Sequence, residues 1–104
     1  MPSFSVRCVF RWLNTPASEP HTYEERITIW QAPSIEASIA LAEAEASTYA
    51  AESECEYLGF CQAYAMSSEI PTSAVEIFSL LRDSLLAPSQ YLDAFFASGT
   101  ERER

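Results

Sequence analysis

The sequence predicts an α+β fold, a two-layer sandwich of order β-β-α-β-β-α with a four-stranded, mainly antiparallel sheet. Three observations predict it. Apolar residues alternate with period two near the N-terminus, take helical spacing after residue 34, and regain strand character from residue 55. At 104 residues with 48% hydrophobic content, the chain fits one domain with enough apolar surface to offset the entropy of folding.

The first two strands form the predicted N-terminal hairpin. Segment 3–13 places Phe4, Val6, Cys8, Phe10 and Trp12 on one face and Ser5, Arg7, Val9 and Arg11 on the other. A turn-rich segment, 14–22, leads into the second strand, 23–30, so an antiparallel pair is expected. That strand places Tyr23, Glu25, Ile27 and Ile29 on one face and Glu24, Arg26, Thr28 and Trp30 on the other.

A helix and a third strand follow the hairpin. Ser34 is suited to the N-cap, and Glu36 suits the first turn of a helix over about residues 35–52. The helix is rich in alanine, which allows it to lie close to the layer that it covers. Segment 55–66 then predicts a strand with small residues on one face and large ones on the other.

Segment 74–83 fits two structures. Ser73 and Glu76 match a capping box, whereas alternation along the segment suits a strand, which we favour because it covers an edge of the sheet. Pro88 then predicts the start of a short helix over 88–98. We therefore expect one domain over 1–98 and a charged, mobile tail over 99–104.

Charge and cysteine content limit the partners and the compartment. The net charge of −9 disfavours broad nucleic-acid binding and adsorption to anionic lipid, but suits a basic protein partner. Three cysteines cannot all pair, no secretory signal opens the chain, and no apolar run reaches the ~20 residues that cross a bilayer. We expect a cytoplasmic protein with no nucleic-acid or membrane partner.

The sequence shows no residue spacing that is typical of a metal, cofactor or catalytic site. His21 and the three cysteines Cys8, Cys55 and Cys61 show no C-x-x-C or H-x3-H pair. Two glycines in the chain are too few for a phosphate-binding loop. We predict no metal site, no cofactor and no catalytic residue, so an enzyme is the less favoured class.

Charge on the second strand supplies the candidate site. Strand geometry separates Glu24 from Glu25, which weakens a catalytic carboxylate pair. The candidate partner- or ligand-binding residues are Arg7, Arg11, Glu24, Arg26, Trp30 and Arg82. They fit a structural ladder of cross-strand Arg–Glu pairs, an arginine patch for an anion or partner, or, least well, catalysis. Trp30 is either covered by the C-terminal helix or a loop, or lies in an interface.

The chain also resembles a family of small bacterial proteins, common in actinomycetes and known only as a domain of unknown function. The segments that carry this resemblance are SVRCVFRW, YEERITIW, EASIALAEAEA, EYLGFCQAY, EIFSLLRDS and YLDAFFASGTERER. Ser3 and Phe4 stand where an aromatic start is usual. The resemblance implies a single bacterial cytoplasmic domain and a strand over 74–83, but no reaction.

Two classes of function follow as hypotheses. The first is a non-enzymatic interaction module, homodimeric or partner-binding, that uses the sheet face around Arg7, Arg11, Arg26 and Trp30. One form of it is an acidic immunity protein or antitoxin that masks a basic toxin. The alternative is a protein or enzyme that binds a small anionic ligand between the sheet and the C-terminal helix. Its binding groups would be Arg7, Arg11, Arg26 and Arg82.

Overall fold

The computed structural model describes residues 1–13, 20–71 and 73–96, and the backbone of 102–103. Its elements are β1 (Ser3–Trp12), β2 (His21–Gln31), α1 (Ile35–Ser53), β3 (Cys55–Ala65), β4 (Val75–Ser84), α2 (Pro88–Phe96) and a two-residue strand, β5 (Arg102–Glu103). The predicted order β-β-α-β-β-α is confirmed, and so is the strand over 74–83. The rest of the predicted tail and the end of the predicted second helix, residues 97–98, lie outside the described residues.

The sheet has the order β4-β2-β1-β3-β5, and every neighbouring pair is antiparallel. β1 is the central strand, because its two backbone edges pair with β2 and β3. Its alternating side chains supply an apolar layer on one face of the sheet. Cys8 lies opposite Arg26 of β2 on one side and opposite Cys61 of β3 on the other. β4 is the outer strand beyond β2, and β5 pairs with β3 at Gln62 and Ala63.

Helix α1 covers the β1–β3 part of one sheet face. The Ser34 side chain accepts a hydrogen bond from the Ala37 amide at 3.1 Å, as an N-cap does. Ala42 and Ala46 are buried against the sheet, and their short side chains let the helix approach closely. The main core lies in this layer, where β1, α1 and β3 contribute Val6, Cys8, Phe10, Ile39, Cys55 and Cys61.

Helix α2 lies against the opposite face and closes a smaller core. Tyr91 is fully buried and stacks on Tyr23, with 3.9 Å between ring centroids. The Tyr23 hydroxyl donates to the Leu86 carbonyl at 2.6 Å, which ties β2 to the turn before α2. Val9 of β1 completes the buried part of this second core.

All three cysteines, Cys8, Cys55 and Cys61, are buried and free. Cys55 and Cys61 lie on the same strand, as the sequence predicts. Their six-residue separation spans roughly 20 Å, far beyond disulfide reach.

The end of α1 yields a stability prediction. Glu54 follows α1 with φ 58, the left-handed region, and its amide donates to the Ala50 carbonyl. Glycine adopts this conformation without the Cβ penalty, so Glu54→Gly should raise the free energy of unfolding by about 0.5–1 kcal/mol in urea denaturation. The matched control Glu52→Gly, inside the helix, should lower it by about 1 kcal/mol. Equal effects of the two substitutions would contradict this account.

Candidate functional site

The strand register divides the predicted site between the two faces of the sheet. Residues paired across antiparallel strands project to the same face, and Cys8 pairs with Arg26 while Arg7 pairs with Ile27. Glu24, Arg26 and Trp30 therefore lie beneath α1, on the face of the main core. Arg7, Arg11 and Arg82 lie on the opposite face. The expected contact surface around Arg7, Arg11, Arg26 and Trp30 is wrong, because the β1–β2 register places the first two residues on one face of the sheet and the last two on the other.

Arg26 is the centre of the charged cluster beneath α1. Its guanidinium makes a bidentate contact with Glu45 of α1, at 2.6 and 3.0 Å, and its Nε donates to Glu76 of β4 at 2.5 Å. It also lies over the Tyr49 ring, 3.9 Å from the centroid. Burial opposes its charge, but the hydrogen bonds to Glu45 and Glu76 outweigh burial and raise the pKa of Arg26. The guanidinium nitrogens of Arg26 that would bind a ligand already donate hydrogen bonds to the carboxylates of Glu45 and Glu76.

Glu24 lies beside Arg26 and is also buried. The Tyr49 hydroxyl donates to its carboxylate, at 2.7 and 2.9 Å from the two oxygens, and the Ser79 hydroxyl donates to it as well. Burial, with the nearby charge of Glu24, raises the pKa of the Cys55 thiol to about 11. Cys55 is consequently a neutral thiol near pH 7, which is poorly suited to act as a nucleophile.

Trp30 is covered within the chain. It is 7% exposed, belongs to the main core with Ile39 and Ala42, and donates from its indole nitrogen to Thr28 at 2.7 Å. The interface alternative for Trp30 is therefore wrong. The expected covering element is also corrected, because α1 rather than the C-terminal helix provides it.

On the opposite face the charged residues meet at Glu25. Arg82 lies 3.2 Å and Arg7 3.8 Å from its carboxylate, and the Tyr91 hydroxyl donates to it at 3.1 Å. Burial, with the Glu25 charge, raises the pKa of Tyr91 to about 12. Arg7 also donates to Gln62, and Arg82 lies 4.4 Å from the Phe95 ring centroid. These groups join four strands and α2.

The predicted ladder of cross-strand Arg–Glu pairs is confirmed, but it occupies both faces. In addition to the pairs of Arg7, Arg26 and Arg82, Arg11 of β1 lies 3.0 Å from Glu56 of β3. This last pair is partly exposed and stabilises the fold by at most about 1 kcal/mol. A ligand site formed by Arg7, Arg11, Arg26 and Arg82 together does not form, because Arg26 lies on the other side of the sheet.

The structure also reveals an exposed apolar strand edge that the sequence reasoning missed. Along β4, Ile77 is 52% exposed and Leu81 56%, and the neighbouring apolar residues Val75, Phe78 and Leu80 are also exposed. We define the β4 edge as Ile77, Phe78, Leu80 and Leu81, together with the outer backbone edge of β4. Within the described residues no strand pairs with that outer edge. The apolar run IFSLL, residues 77–81, is the part of the sequence that could have indicated this edge.

The described residues form neither a metal site nor a membrane-spanning helix, and the chain matches no known protein. Among the described residues, no three His, Cys, Asp or Glu side chains cluster to hold a metal ion, and no helix is long and apolar enough to cross a membrane. No family model, curated protein or solved structure matches the chain. The resemblance to a family of unknown function therefore stays a prediction.

The Arg26 cluster predicts an unequal effect of two arginine substitutions. Arg26→Met leaves Glu45 and Glu76 without their buried partner and should reduce the free energy of unfolding by about 2–4 kcal/mol. Arg11→Met, which breaks the partly exposed pair with Glu56, is the matched control and should cost less than about 1 kcal/mol. Urea denaturation of both variants measures the difference. Equal losses would show that the Arg26 contacts contribute little.

Burial of Tyr91 beside Glu25 predicts a loss of stability in alkali. The pKa of Tyr91 is raised from 10.0 to about 12 on folding, so its stabilising contribution is complete below pH 10.0 and is lost as pH rises through about 12. Tyr91→Phe should therefore flatten the fall in unfolding free energy above pH 10.0. The difference between the tyrosinate absorbance titrations of the two proteins isolates Tyr91. Ionisation near pH 10.0 in the folded protein would refute the contact's effect.

Proposed function

We propose that this protein is a non-enzymatic interaction module that binds a protein partner through the β4 edge. The observation that carries the proposal is the exposure of large apolar side chains in the middle of a strand whose outer backbone edge pairs with no other strand among the described residues. Unpaired N–H and C=O groups offer hydrogen bonds to an added strand, and apolar side chains supply the energy of burial.

The composition of the β4 edge distinguishes it from a strand edge that merely faces water. Proteins protect open edges with charged residues, proline or short strands. β4 is ten residues long, and neither a charge nor a proline lies between Glu76 and Arg82. The uncharged, apolar centre of this strand favours aggregation unless a specific partner covers it, which supports a binding role.

The charged groups support a structural rather than a catalytic role. Glu24, Glu25 and Arg26 are buried and contact groups on neighbouring elements, so that they connect the sheet to α1 and α2. The three free cysteines fit the reducing, cytoplasmic setting that the sequence predicts. The net charge of −9 suits a basic partner, as in the antitoxin form of the hypothesis.

The proposal is tested by comparing what three immobilised proteins retain from a lysate of the source cells. They are the wild type, Leu81→Arg on the β4 edge, and Leu41→Arg on the exposed side of α1. We expect at least one protein, either another chain or this one, to bind the wild type and Leu41→Arg and to lose binding to Leu81→Arg. Each candidate is then purified and its binding measured again. If no purified candidate distinguishes Leu81→Arg from Leu41→Arg, the proposal fails.

A further inference from the structure

We infer that the β4 edge binds a second copy of this chain, with the two β4 strands paired antiparallel about a two-fold axis to form one continuous sheet. This inference rests on the proposed function and names the partner. Two-fold dimers are the commonest oligomers, and their interface requires a patch that is complementary to itself.

The sequence of β4 is self-complementary in one register. With the axis at Ser79, Phe78 of each copy lies opposite Leu80 of the other, and Ile77 lies opposite Leu81. All four side chains are exposed in the single chain. Beyond the apolar centre, Glu76 contacts Arg26 on the α1 face and Arg82 contacts Glu25 on the opposite face, so both charges have partners within their own chain.

The two neighbouring registers are poorer. An axis at Phe78 places Glu76 opposite Leu80, and an axis at Leu80 places Phe78 opposite Arg82. Each would bury a charged group against an apolar one, which costs free energy. The register centred on Ser79 is therefore the preferred one, and it gives the inference a test at the level of individual residues.

The charge distribution is compatible with self-association. Each copy carries a net charge of −9, but the central part of the β4 edge is uncharged, so the interface itself brings no like charges into contact. Repulsion between the two copies acts at longer range, where salt screens it. Added salt should accordingly strengthen the dimer, whereas it would weaken binding to a basic partner.

Sedimentation equilibrium from low to high micromolar concentration tests the inference. We expect the wild type and the control Leu41→Arg to dimerise, and we expect Leu81→Glu and Ile77→Lys each to weaken the dimer by roughly tenfold or more. These positions are exposed in the single chain, so the variants should fold, and circular dichroism checks this. A wild type that stays monomeric, or a dimer indifferent to both substitutions, overturns the inference.

Mixing complementary variants tests the register. Ile77→Lys with Leu81→Glu should form a heterodimer, because the register centred on Ser79 places lysine opposite glutamate once and Leu81 opposite Ile77 once. The mixture of Ile77→Lys with Leu80→Glu is the matched control and should not form a heterodimer. Dimerisation in both mixtures, or in neither, overturns the register.

The outcomes also separate this inference from the proposed function. A monomeric chain that still binds another purified protein through Leu81 leaves the interaction module intact and overturns only the second copy as its partner. A monomeric chain without any binding that depends on Leu81 overturns both.

Discussion

The pairing of β1 with β2 on one side and β3 on the other determines on which face Arg7, Glu24 and Arg26 lie. Because Cys8 is opposite both Arg26 and Cys61, the apolar face of β1 continues into the polar face of β2. Helix α1 covers β1 and β3 with apolar side chains, but over β2 it meets Glu24 and Arg26. The fold therefore has to bury two charged groups of opposite sign next to its main core, and it does so only by surrounding them with partners.

The need to pack on apolar strands and also to bind Glu24 and Arg26 gives the residues of α1 two different roles. Alanines at Ala42 and Ala46 allow close packing over the apolar strands, while the longer side chains of Glu45 and Tyr49 reach Arg26 and Glu24 on β2. Beyond β2, the connection continues through Arg26 to Glu76 and through Glu24 to Ser79 on β4. Hydrogen bonds and ion pairs thus take the place of apolar cover at this side of the sheet. Leu81 of β4, which lies opposite Glu24 on this face, remains exposed as a result.

The sequence was sufficient to predict the helices and strands, because their signals are local. The alternation of apolar residues, the Ser34 cap and Pro88 each depend on only a few neighbouring residues. These local signals could not predict the site. Whether Arg26 shares a face with Arg7 depends on the register between β1 and β2, and whether Trp30 is buried depends on which face α1 covers. Both are tertiary properties. The same reason explains why the IFSLL run predicted a strand correctly while its exposure was missed: alternation identifies the faces of a strand, but not what covers them.

The two edges of the sheet differ in a way that bears on how copies of the chain could associate. The outer edge of β3 already pairs with β5 at Gln62 and Ala63, whereas the outer edge of β4 is open along the described residues. A sheet with two open edges can extend into a filament, but pairing of β4 with β4 about a two-fold axis uses the same edge on both copies and closes the assembly. The register shift between β2 and β4 leaves Ile77 as an extra residue of β4, between Glu76 opposite Thr28 and Phe78 opposite Ile27, and Arg82 and Asp83 place charge toward the other end of the strand. These features restrict regular pairing to the short apolar centre, which favours a dimer of defined register over indefinite growth.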